Sequence, residues 1–278
     1  MVFGSLESSA ARSCGREEWY APAEGVRLRY RDEGQGPAVL FIHGWTLDLD
    51  MWDPQVSALR DRFRCIRFDR RGFGLSGGAP ALRRDVQDAL ALCRALDLTR
   101  FAAVGMSQGA RIALQLALEA PALISCVVID GPPELIATAQ SSALATSEYP
   151  PGSTPKSMEA FREHWRRHPL MRLWNADQRN RPLLDRMIDR YPGHDLDQRA
   201  ITEPLAIDER ALRSLQTPVL IIGGEHDLPS RHAAADELTL ALPAATRRRV
   251  RGAGHLPNLD NPRAYDELLS EFLERHCH

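Results

Sequence analysis

The feature that most constrains the fold is a Gly-x-Ser-x-Gly run at residues 105–109, which lies between an apolar stretch and a helix-like one. The apolar stretch at 101–104 predicts a buried strand, and the residues at 110–119 predict a helix. A nucleophilic serine must project its hydroxyl from a tight strand-to-helix turn, where flanking glycines leave room for the strained backbone. The pattern therefore makes Ser107 a candidate nucleophile, with the N-terminus of the helix facing a developing oxyanion.

The two partners that such a serine requires follow it in the chain. Asp227 ends a loop after a buried-strand pattern, and His255 lies in a Gly-rich loop before the last helix-like segment. A serine hydroxyl becomes a good nucleophile only when an imidazole takes its proton, and the imidazole needs a carboxylate to hold its tautomer. Glu225 and His226 compete locally with Asp227, which could also serve as a helix N-cap. The sequence predicts a catalytic triad of Ser107, Asp227 and His255.

Another apolar run, at residues 38–42, leads into His43, Gly44 and Trp45. The chain order Ser, Asp, His resembles that of the α/β-hydrolases, in which the loop after such a strand supplies one backbone N–H of the oxyanion hole and the residue after the nucleophile supplies the other. We therefore predict that the backbone amides of Trp45 and Gln108 form the hole. The Trp45 side chain is expected in the wall of the acyl pocket, and His43 is expected to support the backbone.

Three runs carry a family resemblance: His-Gly-Trp-Thr-Leu-Asp at 43–48, Met-Trp at 51–52, and Phe-Asp-Arg-Arg-Gly-Phe-Gly-Leu-Ser at 68–76. With the chain order Ser, Asp, His, they resemble the α/β-hydrolase superfamily, especially its bacterial arylesterase and cofactor-free haloperoxidase (perhydrolase) branch. Members of that branch usually have Met-Gly-Gly after the nucleophile and often Pro after the first oxyanion residue. This chain instead has Gln-Gly-Ala after Ser107, and Thr46. The resemblance implies the triad, and it leaves the substrate and any peracid side reaction open.

Strand-like and helix-like segments alternate through most of the chain, which predicts a mostly parallel central sheet covered by helices on both faces. Strands are predicted at 18–20, 26–32, 38–42, 63–69, 101–106 and 124–130, the first two antiparallel, and a helix at 82–96. The rhythm breaks at Gly131-Pro132-Pro133. The chain is therefore divided into an α/β core over 18–131 and 208–278, a helical cap over 132–207, and a loose N-terminal extension over 1–17.

Two other motifs suggest ligands but lack the required context. Residues 72–77 spell Gly-x-Gly-x-x-Gly, but three residues separate them from the next helix, and Asp97 precedes the following strand instead of ending it. His164 and His168 have the spacing of two zinc ligands, with no identifiable third. We expect no metal and no organic cofactor. Trp165 and Trp174 of the cap are expected to line the substrate pocket together with Trp45.

Composition narrows the function classes. The 278 residues include 35 Lys and Arg against 37 Asp and Glu, a formal net charge of −2, so nothing predicts a nucleic-acid or membrane-surface partner. Five scattered cysteines are typical of reduced intracellular thiols. No apolar run approaches the roughly 20 residues of a membrane helix, and residues 1–17 lack the apolar region of a signal peptide. We expect a cytoplasmic protein with a small-molecule substrate, and the oligomeric state stays open.

Together these patterns predict a carboxylesterase-like serine hydrolase that cleaves a small-molecule ester through an acyl-enzyme intermediate. Three alternatives remain: a lactonase of the enol-lactone type, a carbon–carbon bond hydrolase of ring-cleavage products, and a slow-turnover ligand receptor on the same fold. The arginine-bearing cap keeps the second open. Because the triad is compatible with all of them, only the cap and the acyl pocket distinguish these functions.

Overall fold

The computed structural model describes residues 5–7, 18–21, 26–132, 157–196 and 207–278. In this part of the chain, nine strands form one sheet in the order β1-β2-β3-β5-β4-β6-β7-β8-β9. The strands are β1 (Ser5–Glu7), β2 (Glu18–Ala21), β3 (Leu28–Glu33), β4 (Ala38–Ile42), β5 (Arg64–Phe68), β6 (Phe101–Met106), β7 (Ile124–Asp130), β8 (Val219–Gly224) and β9 (Ala245–Val250).

The sheet is antiparallel at one end and parallel elsewhere. Strands β1, β2, β3 and β5 pair antiparallel in that order, whereas every pair from β5 through β4 to β9 is parallel. The central strands β4, β6 and β7 are buried at every residue, as expected of parallel strands with both faces covered. The predicted mostly parallel sheet is confirmed, and β4, β6 and β7 have the predicted bounds.

Helices cover both faces of this sheet. They are α1 (Asp53–Leu59), α2 (Leu82–Ala95), α3 (Gln108–Glu119), α4 (Met158–Arg166), α5 (Arg181–Arg190), α6 (Glu209–Ser214), α7 (Pro229–Ala241), α8 (Pro257–Asp260) and α9 (Pro262–His276). One face packs against α2, α3, α6 and α7, and the apolar cluster on the other face includes α1, α8 and α9 together with α4 and α5 of the cap. None of these described helices is long and apolar enough to cross a membrane.

The structure describes parts of the predicted N-terminal extension and of the predicted cap. Residues 1–17 were predicted to be loose, yet Ser5–Glu7 pairs with Trp19–Ala21, because the open edge of β2 offers unpaired backbone groups to a further strand. In the cap, residues 157–196 contain α4, a 3-10 turn at Pro169–Met171, and α5. The remaining cap residues, 133–156 and 197–206, lie outside the described chain, so the cap boundaries stay a prediction.

The sheet order places a crevice at the carboxyl ends of β4 and β6. The chain passes from β4 to β5 on one side and later returns to β6 on the other side of β4. Ligands bind at such switch points in open α/β sheets, because connections leave the adjacent strand ends in opposite directions. The Trp45 loop follows β4 and Ser107 follows β6, so both predicted parts of the site lie at this crevice.

Candidate active site

Ser107 occupies a sharp turn between β6 and α3. Its backbone has a φ of 50° and a ψ of −111°, a left-handed conformation that costs free energy for a residue with a side chain. The turn is held because the Ser107 N–H donates to the Asp130 carbonyl at 2.8 Å, and the Ser107 carbonyl accepts from Ala110 at 2.9 Å. Strain of this kind is concentrated at functional sites, and it lifts the serine side chain out of the regular strand and helix.

The glycines on both sides of Ser107 are required by close packing. A Cβ atom on Gly105 would lie 2.2 Å from the Gly109 carbonyl oxygen, and one on Gly109 would lie 2.2 Å from the Ile42 carbonyl oxygen. Both contacts are with backbone atoms, which cannot rotate away. The spacing of two residues that marked this motif in the sequence therefore reflects the direct contact of α3 with β6 and β4.

Asp227 and His255 form a buried pair. Nδ1 of His255 lies 2.9 Å from Oδ2 and 3.1 Å from Oδ1 of Asp227, and the two residues are 8% and 3% exposed. Asp227 also accepts a hydrogen bond from the Leu228 N–H at 2.8 Å. A carboxylate in this position holds the proton on Nδ1, which leaves the lone pair of Nε2 available as a base.

Interlocked loops bring this pair together. The His226 N–H donates to the Ala253 carbonyl at 2.9 Å, and a Cβ on Gly224 would lie 1.9 Å from the Gly254 carbonyl oxygen. Glu225, one of the two local competitors for the acid, instead accepts from the Gly252 N–H at 2.9 Å. The β8 and β9 loops thus contact each other through their backbones, and of the local acids only Asp227 contacts the histidine in this structure.

The serine turn and the histidine loop meet across β7. Met106, just before Ser107, is paired with Asp130. The next residue, Gly131, lies under the imidazole: a Cβ there would be 2.9 Å from Cε1 of His255. The three predicted triad residues therefore converge at the carboxyl ends of β6, β7 and β8, although 28 residues separate Asp227 from His255.

The Trp45 loop approaches the serine from the other side. A Cβ on Gly44 would lie 3.5 Å from Cβ of Ser107. His43 is fully buried, its Nδ1 lies 2.8 Å from the Gly44 carbonyl oxygen, and its Nε2 accepts from the Arg70 N–H at 2.9 Å. Burial lowers the pKa of His43 well below its ordinary value, and the charge of Arg70 acts in the same direction. A neutral His43 that bonds two backbone groups fits the predicted supporting role.

Trp45 and Trp165 pack together above this loop. Their ring centroids are 4.9 Å apart in an edge-to-face arrangement. The rings of Phe161 and Tyr191 in the cap lie somewhat farther from Trp45, with centroid distances of 6.1 and 6.0 Å. The Trp165 Nε1–H also donates to Thr46 Oγ1 at 2.7 Å. The cap therefore contacts the Trp45 loop through aromatic side chains, which predicts an apolar wall for a ligand.

Trp174 lies apart from that aromatic group. Its ring stacks on His226 at 4.4 Å and is 39% exposed, and the Arg172 guanidinium lies over it at 3.9 Å. A Cβ on Gly254 would lie 2.6 Å from the Trp174 ring, so the side chain covers the loop that carries His255. Of the three tryptophans predicted for the pocket, the structure brings two together and places the third beside the histidine loop.

Asp260 is a positioning residue that the sequence did not reveal. It is 2% exposed, and its carboxylate accepts hydrogen bonds from the backbone N–H groups of Gly254 at 2.7 Å, Trp174 at 2.8 Å and Asn175 at 2.7 Å. One carboxylate therefore ties the loop before His255 to the cap. In the sequence, Asp260 reads as an ordinary acid near a helix start, since its partners are up to 86 residues away.

Asp130 is a second buried acid that sequence reasoning passed over. It is fully buried, and neither carboxyl oxygen has a hydrogen-bond partner within the described residues. Burial raises the pKa of Asp130 well above its ordinary value, and the nearby charge of Asp227 adds to this. This shift favours the protonated, neutral form of the Asp130 carboxyl. Its position as the last residue of a buried strand was the available signal.

His168, one of the two histidines with the spacing of zinc ligands, has other partners in the structure. Nδ1 of His168 accepts from the Leu170 N–H at 3.3 Å, and the ring stacks on Trp165 at 4.4 Å. Among the residues that the structure describes, no group of three or more His, Cys, Asp or Glu side chains is arranged to hold a metal ion. His168 thus caps the 3-10 turn at Pro169–Met171 and packs the cap.

The sheet order and the sharp turn at Ser107 are typical of α/β hydrolytic enzymes, whose ligand site lies at the switch point of the sheet. A family model for the alpha/beta hydrolase fold matches residues 37–262. The chain is 30% identical over 266 residues to the Mycobacterium tuberculosis protein named non-heme bromoperoxidase BpoC, covering 89% of this chain and 97% of that one. The chain therefore belongs to the alpha/beta hydrolase family, and the predicted resemblance to the haloperoxidase branch is confirmed.

Solved structures agree with this assignment. A hydrolase from Pseudomonas aeruginosa PA01 superposes with a TM-score of 0.76 at 25% identity, covering 94% of this chain and 99% of that one. The enol-lactonase from Burkholderia xenovorans LB400 superposes with a TM-score of 0.74 at 26% identity, covering 90% and 98%. The chain is thus a hydrolase of the α/β fold, and the bond that it cleaves is the remaining question.

Proposed function

We propose that the protein is a serine hydrolase that cleaves a small-molecule carboxylic ester. The observation that carries this proposal is the buried pair of His255 and Asp227, joined at 2.9 Å, whose imidazole lies over Gly131 beside the strand end that carries Ser107. A nucleophile, a base and an orienting acid in one crevice are the minimum for acyl transfer through a covalent intermediate.

In the first half-reaction, Oγ of Ser107 attacks the ester carbonyl while Nε2 of His255 accepts the serine proton. The carbonyl oxygen becomes an oxyanion, which the backbone N–H groups of Trp45 and Gln108 stabilise. Gln108 is the first residue of α3, so its amide also has the positive end of the helix dipole behind it. His255 then returns the proton to the leaving alcohol, and the acyl group stays on Ser107.

In the second half-reaction, His255 deprotonates a water molecule that attacks the acyl-enzyme. The carboxylic acid leaves, and Ser107 regains its proton from the imidazolium. Asp227 remains ionised throughout and holds the imidazole by its Nδ1–H. These steps need only residues of the chain and water, so the proposal includes no metal and no organic cofactor.

The aromatic wall supports a substrate with an apolar group. Trp45, Phe161 and Trp165 contact one another above the oxyanion loop, and apolar side chains there would bind an alkyl or aryl group by excluding water. A lactone is the second candidate, supported by the 26% identity to the enol-lactonase over 90% of this chain. Lactones and open esters present the same carbonyl to the same nucleophile.

The test is multiple-turnover release of p-nitrophenol from acyl esters of increasing chain length, in buffer with EDTA. We expect turnover to fall by at least about 10³-fold in Ser107→Ala. A fluorophosphonate probe should add its mass to the peptide that contains Ser107 and to no other. Turnover of the alanine variant near that of the wild type would refute the proposal.

Matched substrates separate the alternatives. An enol-lactone hydrolysed with a kcat/KM at least about tenfold above that of every open ester would favour the lactonase. Serine-dependent cleavage of a dienoic ring-cleavage product, without ester turnover, would favour carbon–carbon bond hydrolysis. Stoichiometric labelling without turnover of any of these compounds would favour the receptor.

A further inference from the structure

Arg70 is completely buried between the two halves of the proposed oxyanion hole. Its Nη2 donates to the Gly44 carbonyl at 3.2 Å and to Oε1 of Gln108 at 3.1 Å. The other guanidinium nitrogen, Nη1, donates to Asp85 at 3.2 Å. One nitrogen therefore contacts the loop after β4 and the first residue of α3 at the same time.

The contact with Gly44 fixes the direction of the Trp45 N–H. The Gly44 carbonyl and the Trp45 N–H belong to the same peptide group, which is planar and trans, so the two point in opposite directions. Donors from His43 and Arg70 hold the carbonyl from the core side. The Trp45 N–H is thereby directed away from Arg70.

The contact with Gln108 acts on the second donor. Gln108 starts α3 directly after the strained Ser107, so a rotation of its backbone would move the N–H that faces the oxyanion. Arg70 holds the side-chain amide of Gln108, which leaves that backbone less freedom.

We propose that Arg70 is the positioning residue of the oxyanion hole, and that its Nη2 sets the relative orientation of the Trp45 and Gln108 amides. This inference rests on the proposed function, since the hole has a role only if an acyl group is transferred. Arg70 touches neither substrate nor Ser107. It acts by holding both donors before the charge develops, which is how a preorganised hole lowers a barrier.

A purely structural role for Arg70 is the rival explanation, and the neighbouring residue provides the control. Arg71 is also buried and pairs with Asp88 at 2.6 and 2.8 Å, but neither bond involves the Trp45 loop or α3. Loss of either arginine removes a buried ion pair with an α2 carboxylate and should lower stability. Only the loss of Arg70 should change the transition state.

The experiment compares Arg70→Met with Arg71→Met, using p-nitrophenyl ester kinetics and the inhibition constant of an aryl trifluoromethyl ketone. Oγ of Ser107 adds to the carbonyl carbon of that ketone as its proton passes to His255, and the ketone oxygen becomes an oxyanion in the hole. For Arg70→Met we expect kcat to fall by about 10–100-fold with KM changed by less than about threefold, and the ketone to bind weaker by a similar factor. For Arg71→Met we expect kcat within about twofold of the wild type.

Equal kcat values for the two variants, or a loss confined to KM, would overturn the inference. If Arg70→Met does not fold, Arg70→Lys decides the matter, because a lysine keeps the charge but lacks the fork that reaches Asp85, Gly44 and Gln108 together. The lysine variant should show the same weakening of the ketone, and unchanged ketone binding would count against the proposal. Turnover that does not depend on Ser107 would overturn the proposed function, whereas serine-dependent turnover insensitive to Arg70 would overturn this inference alone.

Discussion

Replacement of Asp260 by alanine should both destabilise the protein and slow its reaction. The carboxylate accepts hydrogen bonds from the N–H groups of Gly254, Trp174 and Asn175, and it is almost entirely buried. Alanine leaves these donors without an acceptor. The loop that carries His255 and the cap segment would then lose their shared anchor.

The expected magnitude follows from the three bonds. A buried donor that loses its partner costs about 1–3 kcal/mol, and the donors of Trp174 and Asn175 are only partly buried, so water replaces part of what they lose. We therefore expect a loss of about 3 kcal/mol in the free energy of unfolding, which corresponds to a melting temperature lower by about 6–12 °C. Because Gly254 directly precedes His255, kcat should also fall by about tenfold.

Urea denaturation followed by tryptophan fluorescence measures the stability, and ester hydrolysis measures kcat. The matched control is Asp208→Ala, which removes one exposed bond to the Arg210 N–H at 3.0 Å and should cost less than about 1 kcal/mol. If Asp260→Ala were no more destabilised than this control, the bonds to its carboxylate would contribute little, and the reasoning would be wrong.

Three other changes test separate parts of the structure. Gly109→Ala places a Cβ 2.2 Å from the Ile42 carbonyl oxygen and should destabilise the fold by about 3 kcal/mol in urea denaturation; a neutral effect would show that α3 shifts freely. Asp130→Asn should keep kcat within about threefold, since the pKa of Asp130 is already raised by burial and an amide resembles a neutral acid; a 100-fold loss would mean that the ionised form takes part. Burial also raises the pKa of Asp266 to about 7 against the hydrogen bond from Gln55, which lowers it, so the native state retains a proton that the unfolded chain loses near pH 4. The stability of the wild type relative to Asp266→Asn should therefore fall as the pH rises from 4 to 7, by about 1–2 kcal/mol after solvent screening; parallel pH profiles would contradict it.

Local patterns in the sequence predicted most of the central strands and named the residues of the candidate triad. Strands β4, β6 and β7 were predicted with their observed bounds because each is a short apolar run between turn residues. Ser107 was predicted from a five-residue motif, although the structure shows that Gly109 is required by contact with the Ile42 carbonyl of β4. The N-cap of α9 is likewise a local feature, since Asn261 accepts from the Ala264 N–H at 3.4 Å.

Long-range partners were beyond the same reasoning. The strand at Ser5–Glu7 depends on an open edge of β2, and a sequence does not show which edges stay open. Trp174 and Trp165 look alike in the sequence, but one stacks on His226 and the other packs against Trp45. Aromatic rings in a cap have many possible neighbours, and composition does not select among them.

The sequence by itself determined the fold family, the order of the elements and the residues that could carry the chemistry, because these depend on hydrophobic periodicity and on turn geometry over a few residues. The tertiary structure decided which acid contacts His255, where the Asp260 carboxylate is used, and that one nitrogen of Arg70 reaches both Gly44 and Gln108. These contacts are hydrogen bonds of buried polar groups, which need protein partners because water is excluded from them. Their partners come from distant parts of the chain, so only the folded arrangement defines them.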